Sequence, residues 1–480
     1  MNNTKKQCKM KRSIMTVAAA LFVSSMMFAQ MRPTDQTGIN VFETPKTETE
    51  FNGLKVDIGG AFSQPYMALS QSNSSSSLAY DPNSTKTLFP VAHNFSLAMA
   101  NLYLNTYLAD GVTLNFTLYL ASKHHNETWV KGGFIQFDKL PFIKMDLVDD
   151  IMKFTTLKVG AMEVNYGDAH YRRSDGGNAI YNPFMENYIM DEFATEVGAE
   201  ADFHIKDFML VAAVTDGELN GNLQQIDPVK SPSSNGSHNP AFIGKLAYDK
   251  QLTDQLRIRL SGSGYYTAGS VSNTLFGGDR TGSNYSGVMY VAGPGTGTAF
   301  NGRYNPGLGD KLLTGMGNLF IKFTPIEGLS LESFSTIEKA NGRNAIETTQ
   351  RNASQQATDL VIRFGKHENF FAGVRYNNVN ADVAAVYNPA VAAVTAVPFT
   401  LNPTTGLITG AKAVTAVPAS TTPGYSIGIN RLAVSAGWFV TKNILAKVEY
   451  VNQKYTGFPV NTIYDAAEFH GLSAEAVIAF

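Results

Sequence analysis

From Val112 to Ala121 the chain alternates with period two. Val112, Leu114, Phe116, Leu118 and Leu120 fall on one face of an extended strand, and Thr113, Asn115, Thr117 and Tyr119 on the other. The rhythm returns at Leu256, Ile258 and Leu260 against Arg257, Arg259 and Ser261, and at Ala446, Val448 and Tyr450 against Lys447 and Glu449. Runs of about ten residues at ~3.3 Å each match a tilted transmembrane strand, whereas strands of soluble proteins usually stop at about 5–6 residues. After residue 30 no stretch offers ~18 uninterrupted apolar residues, which excludes spanning helices. Composition fits two opposed faces: 16% charged residues and 51 Phe and Tyr, yet a mean hydropathy of only −0.10. So little charge with so many aromatics excludes a disordered chain and fits a compact soluble enzyme poorly.

The first residues read as an export signal, 1–29. Lys5, Lys6, Lys9, Lys11 and Arg12 precede the apolar run Ile14–Phe28, and Ala29 supplies a small residue for cleavage. Cys8, the one cysteine, lies ahead of the apolar run, so the mature chain is expected to contain no disulfide, thiol metal site or thiol nucleophile. Losing the five basic residues leaves 33 Lys+Arg against 40 Asp+Glu, a net charge of −7 in place of −2. That sign argues against a nucleic-acid partner.

Connections alternate between short and long. Brief turns fall at Ala109–Gly111, near Lys206, and at Asp249–Asp254, Thr324–Glu327, Gly365–Glu368 and Thr441–Asn443. Long Gly-, Ser- and Asn-rich stretches occupy about 64–91, 166–192, 216–239, 268–313, 339–356 and 379–425. Short periplasmic turns with long external loops mark an outer-membrane barrel. The expected fold is therefore all-β: a transmembrane antiparallel β-barrel over 53–480, preceded by a polar lead-in at 30–52. About sixteen strands are expected, near 53–63, 92–108, 111–122, 129–138, 155–165, 193–204, 207–215, 240–248, 255–267, 314–324, 328–338, 357–365, 368–378, 426–440, 443–456 and 470–480. One missed hairpin would make eighteen. The final run Leu472, Ala474, Ala476, Ile478 ending in Phe480 has the form of a closing strand. The localisation expected is the outer membrane of a Gram-negative bacterium.

A barrel of this size has room for an aqueous lumen. The alternation points Lys55, Arg257, Arg259, Lys322, Arg363, Arg375 and Lys447 inward, with Glu196, Glu200, Asp202, Glu332 and Glu449. Mixed charge can simply keep a lumen wet. It can also be segregated, acids on one strand and arginines later in the chain. The third external loop, 166–192, carries Asp168, His170, Arg172, Arg173, Asp175, Glu186, Asp191 and Glu192, two arginines against five acids. The expectation is that it folds inward, forms the constriction and faces its acids toward the arginine wall across a transverse field.

This loop, the run Ser261-Gly262-Ser263-Gly264-Tyr265-Tyr266 with Gly277-Gly278-Asp279-Arg280, and Val448-Glu449-Tyr450-Val451-Asn452-Gln453-Lys454-Tyr455 resemble outer-membrane porins. The class is that of the phosphate-selective porins and their relatives in Bacteroidetes-type bacteria. The resemblance implies a sixteen-stranded, often trimeric diffusion pore for ions and small hydrophilic solutes, some members favouring anions such as phosphate. This loop is net acidic and lacks a Lys cluster, a departure from the anion-selective pattern. The competing reading is a structural or adhesive barrel with an occluded lumen, whose external loops bind a partner. No catalytic residue, cofactor or metal site is expected. His124-His125-Asn126-Glu127 lacks converging ligands, no Ser–His nucleophile motif occurs, and Gly293–Gly297 lacks the Lys of a phosphate loop. Leu140–Phe154 breaks the period and suggests a short helix in a periplasmic turn. Residues 381–420, where Ala393–Pro398 repeats as Ala413–Pro418, read as a protruding hairpin or cap. The lead-in, with Pro33 and Pro45, either stays in the periplasm or enters the lumen.

Overall fold

A computed structural model describes residues 32–44, 46, 51–74, 88, 91–96, 98–119, 129–174, 176–219, 238–270, 273–277, 284–285, 287–290, 302–388, 397–401, 408–411, 420–460 and 462–480. The expected signal 1–29, Asp175, His124-His125 and Gly293–Gly297 lie outside them.

Sixteen strands close on themselves: β1 (Lys55–Ser72), β2 (Met99–Ala109), β3 (Val112–Tyr119), β4 (Trp129–Phe137), β5 (Thr155–Glu163), β6 (Thr195–Ile205), β7 (Phe208–Thr215), β8 (Ala241–Thr253), β9 (Leu256–Thr267), β10 (Asp310–Ile326), β11 (Leu329–Arg343), β12 (Arg351–Phe364), β13 (Phe370–Val383), β14 (Tyr425–Thr441), β15 (Ile444–Thr456) and β16 (Glu468–Ala479). Each pairs antiparallel with its neighbours, and β1 completes the ring by pairing β16 from Ala61↔Ala479 to Ser72↔Glu468. A two-residue piece, Asn94–Phe95, adds to β1. No helix among the described residues is long and apolar enough to cross a membrane. The helix α1 (Asp146–Met152) occupies the β4–β5 connection. Within 384–424, Val386–Asn388 pairs Ser420–Thr422 and Val397–Leu401 pairs Ile408–Ala411, the arrangement of a hairpin.

Burial runs inside out. The outward positions are apolar and exposed, as at Leu260, Ile337, Leu360, Leu432, Val448 and Leu472, while Arg259, Ser261, Thr336, Glu338, Asp359, Arg431, Lys447, Glu449 and Ser473 beside them are polar and buried. Such a closed surface leaves no strand edge and presents hydrocarbon to lipid, the only open-sheet-free way for strands to span a bilayer. Stacked rings of Phe364, Phe370 and Trp438, at 5.7 and 6.1 Å between centroids, form part of an outward aromatic band at the short-turn end. The chain is an outer-membrane β-barrel. Phe480 closes it, its N–H donating to Gly60 O and its carbonyl accepting from Gly60 N, both at 2.9 Å.

Several strands are longer than the alternation suggests. β1 runs on to Ser72, β10 starts at Asp310 and β12 at Arg351. Their extra residues are largely polar or small, so the apolar marker disappears where the strand continues above the hydrocarbon.

Candidate functional site

The site is the lumen, and it is filled at mid-height. The third external loop leaves β5, turns at Gly167 (φ +70°) and runs through two 3-10 turns, Ala169–Arg172 and Gly176–Ile180, before rejoining β6. The turn into the lumen calls for glycine at Gly167 through its positive φ, since a Cβ there would meet only the flexible end of the Met316 side chain. Gly167 N–H donates to Ser263 Oγ at 2.8 Å and its carbonyl accepts from Lys245 Nζ at 2.7 Å.

Asp168 anchors the loop to β8 and β9. Its carboxylate accepts from Arg259 Nε (2.8 Å) and Nη2 (2.9 Å) and from Ser261 Oγ (2.6 Å), with Lys245 Nζ at 2.7 Å. Glu43, from the N-terminal segment, reaches the same two cations at 2.7 and 2.6 Å. Two acids and two bases thus form a buried quartet. Burial works to raise both carboxyls, yet Lys245 and Arg259 hold Glu43 below and Asp168 well below the ordinary carboxylate range.

Further along, His170 Nδ1 lies 2.7 Å from Glu163 Oε1. Arg173 forks onto Asp191, which also meets Arg303 from the fifth external loop. Burial opposes ionisation of Asp191, but the two guanidiniums lower its pKa. Glu186 accepts from the backbone N–H groups of Asn284 and Tyr285. Glu192 accepts from Gln355 Nε2 at 3.1 Å, and burial together with Glu338 raises its carboxyl well above the ordinary range. Arg172 lies buried over the Phe334 ring, 4.8 Å from its centroid.

Arg259, Arg363, Arg375, Lys447, Glu196, Glu200, Asp202, Glu332 and Glu449 are buried, Arg257 and Lys322 are partly so, and Lys55 is exposed beside Asp57. Arg375 forks onto Asp359 at 2.7 and 2.8 Å and donates to the Glu186 carbonyl. Arg363 meets Glu332 at 2.9 Å, Lys322 meets Glu368 at 2.8 Å, and Arg257 meets Asp249 at 2.7 Å. Lys447 donates to the carbonyls of Ala179, Asn182 and Phe184 and pairs Glu475 at 2.9 Å. Glu449 accepts from Met185 N–H and Tyr285 Oη. Glu196 accepts from Tyr265 Oη at 3.0 Å, and Glu200 pairs Lys158 at 2.7 Å. Glu186, Asp191 and Glu192 therefore do not stand across open water from an arginine wall. Asp168 touches Arg259, and the remaining arginines meet acids of the wall or of the loop itself. In a low-dielectric interior a carboxylate and a guanidinium gain most from direct contact, so the transverse-field arrangement gives way to ion pairs.

The N-terminal segment was the least legible contributor. Residues 32–44 and Lys46 lie at the short-turn mouth inside the barrel. Arg32 stacks on Tyr181 at 3.5 Å, Asn40 Nδ2 donates to Glu332 Oε1 at 2.8 Å, and Phe42 packs edge-on against Phe320 at 5.5 Å. Lys46 Nζ donates to the carbonyls of Asp138, Met152 and Thr155. Phe42 beside Glu43 in a polar stretch was the available signal. Lys245, Asp359 and Arg431 follow from extending the inward parity of their strands.

Two hollows flank this segment. One of about 480 Å³ is lined by Lys46, Asp57, Asp138, Lys158, Glu200 and Asp202, and one of about 720 Å³ by Lys322, Glu332, Arg363, Lys366, Glu368 and Lys442. The first is rich in acids and the second in bases.

Closed wall, inward loop and charged lumen define a barrel of porin-like architecture. No protein-family model matches the chain, and no curated protein does. Among solved structures it is similar to the anion-selective porin of Comamonas acidovorans (9% identity, 89% of this chain and 100% of that one, TM-score 0.46). It is also similar to the outer membrane channel DcaP of Acinetobacter baumannii (9%, 89% and 98%, TM-score 0.44) and to OmpT, an outer membrane protein of Vibrio cholerae (9%, 90% and 100%, TM-score 0.43). At these scores the likenesses carry no functional argument.

Proposed function

We propose that the protein is an outer-membrane porin-type channel for passive diffusion of small hydrophilic solutes, with its third loop and N-terminal segment setting the passage. It acts without a cofactor and performs no chemistry on what it passes. One observation carries the reading: loop and leader inside the barrel are held to a charged wall by ion pairs and hydrogen bonds, with hollows of charged lining flanking the leader, even though an apolar cluster that includes Met185, Ile189, Met190, Leu275 and Phe276 packs beside them. Arg257, Arg259, Arg363 and Arg375 each meet an acid, so these wall cations do not stand as a run of free positive charge. The reading accordingly favours small polar solutes in general over phosphate or other anions in particular. Assembly as a homotrimer belongs to the same reading, as does export by the signal at 1–29.

A second reading, a structural or adhesive barrel, is favoured by the burial of the third loop across the whole lumen. Single-channel recording of the refolded mature chain separates the two. Stable conductance steps are expected for the channel, with the reversal potential in a salt gradient giving the sign of selectivity. A persistently silent bilayer supports the second reading.

A further inference from the structure

The connection between β4 and β5, residues 138–154, carries an apolar surface that the barrel does not cover. Within α1, Leu147 and Ile151 stand one turn apart, and Asp146, Asp149 and Asp150 take the opposite side. Phe142 and Met145 come just ahead of the helix. Phe142 and Leu147 are each 65% exposed, more than Leu260 (57%) and Leu472 (60%) on the lipid-facing wall, and Met145 and Ile151 are exposed as well. The other edge of the helix is fixed to the rim. Met152 is buried, Thr155 Oγ1 donates to Ile151 O at 2.8 Å, and Lys46 Nζ donates to the carbonyls of Asp138, Met152 and Thr155. The uncovered side is therefore held in one orientation.

That side continues the lipid-facing wall. In the β3–β4 ladder Val112 pairs Phe137 and Leu114 pairs Ile135, while Thr113 and Asn115 are buried toward the lumen, so Phe137 points outward as the last residue of β4. Phe142 packs edge-on against it, 6.1 Å between centroids. The same end of the barrel carries other outward aromatic pairs, Phe208 with Tyr248 at 5.0 Å and Phe370 with Trp438 at 6.1 Å. Aromatic girdles of this kind mark the boundary between acyl chains and headgroups.

We propose that the β4–β5 connection is an interfacial anchor: Phe142, Met145, Leu147 and Ile151 enter the phospholipid leaflet around the short-turn end, and the acidic side of α1 stays in water. The partner is a zwitterionic phospholipid surface. Lys144 and Lys153 are outnumbered by Asp146, Asp149 and Asp150, and Lys153 pairs Asp150 at 2.7 Å. The segment thus has no basic face to draw anionic headgroups, and apolar burial carries the contact.

Dye quenching in vesicles tests this. The chain from Gln30 onward holds no cysteine, so Leu147→Cys, Ile151→Cys and Asp150→Cys each give one attachment site for the environment-sensitive dye NBD. The refolded barrels are reconstituted in phosphatidylcholine, and Leu260→Cys on the wall serves as the reference for insertion. Dye on L147C and I151C should emit to the blue of dye on D150C. Lipid brominated high on its acyl chains should quench it several-fold more than it quenches D150C, as an insertion depth of ~5–10 Å requires. Aqueous iodide should give the reverse order. Equal quenching of the three sites by lipid and by iodide, with L260C quenched by lipid as a wall residue must be, overturns the proposal, because the apolar side then lies in water. Dye on L147C and I151C shielded from both quenchers also overturns it, since a protein surface, such as a second copy of the chain, then covers the face.

Discussion

Replacing Asp168 with Asn removes the charge at the centre of the loop's attachment while leaving its size unchanged. The carboxylate takes two hydrogen bonds from Arg259 and one from Ser261, and pairs Lys245 at 2.7 Å. Breaking a buried pair by removing one partner costs about 3–5 kcal/mol, because the other charge stays buried and uncompensated. Glu43 remains within 2.7 Å of both cations, which places the loss near the lower end. A cost of ~3 kcal/mol raises the population of a loop-displaced form about a hundredfold. In planar bilayers D168N should therefore open far more often than wild type, or to a larger step. Circular dichroism and heat-modifiable gel mobility should show an intact barrel. Folded D168N with wild-type open probability and step size would refute the claim that these ion pairs hold the loop.

Other outcomes follow from the same contacts. Glu192 has a raised pKa, so its contribution to holding the loop is complete below the ordinary carboxylate value of 4.5 and is lost as pH rises through its folded value. Conductance should accordingly rise from acid toward alkaline pH in wild type, and a Glu192→Gln variant should flatten that profile; an unchanged slope counts against the assignment. Lys447→Met strands Glu475 and frees three loop carbonyls, so urea unfolding in detergent should show a loss of about 3–5 kcal/mol. Leu260, exposed and outward in mid-β9, faces lipid, and Leu260→Arg should destabilise the barrel in liposomes by up to about 2–4 kcal/mol, measured by reversible urea titration. A neutral result there would place that face away from hydrocarbon.

Period-two alternation was readable because lipid and lumen impose opposite chemistry on successive residues, and Leu256–Leu260, Ala446–Tyr450 and Leu472–Ile478 all face outward as the pattern requires. It ceased to be readable where strands leave the bilayer. Gln64–Ser72 and Arg351–Gln356 continue as strand, but Gln64, Ser70 and Ser72 take the outward places while Met67 and Leu69 are buried, so the apolar-outward marker is lost. The inward fold of the 166–192 loop could be expected from its position and charge. Its partners could not, since which strand Asp168 or Arg173 meets depends on how far the loop reaches across the lumen. Glu43 joining Lys245 and Arg259 is a contact between residues some two hundred positions apart, and no local pattern encodes it. The same distance hid the role of residues 32–44, whose Phe42 finds Phe320 and Phe334 only once the barrel is closed.

The central claim is that the barrel is a channel whose passage is set by the loop within it. Swelling of liposomes carrying either the wild-type barrel or a variant lacking 168–192, measured with sugars of increasing size, tests it most directly. The account predicts slow swelling limited to the smallest solutes for wild type, and fast swelling extending to larger sugars for the variant. Equal permeability in the two, with both barrels folded, would contradict it.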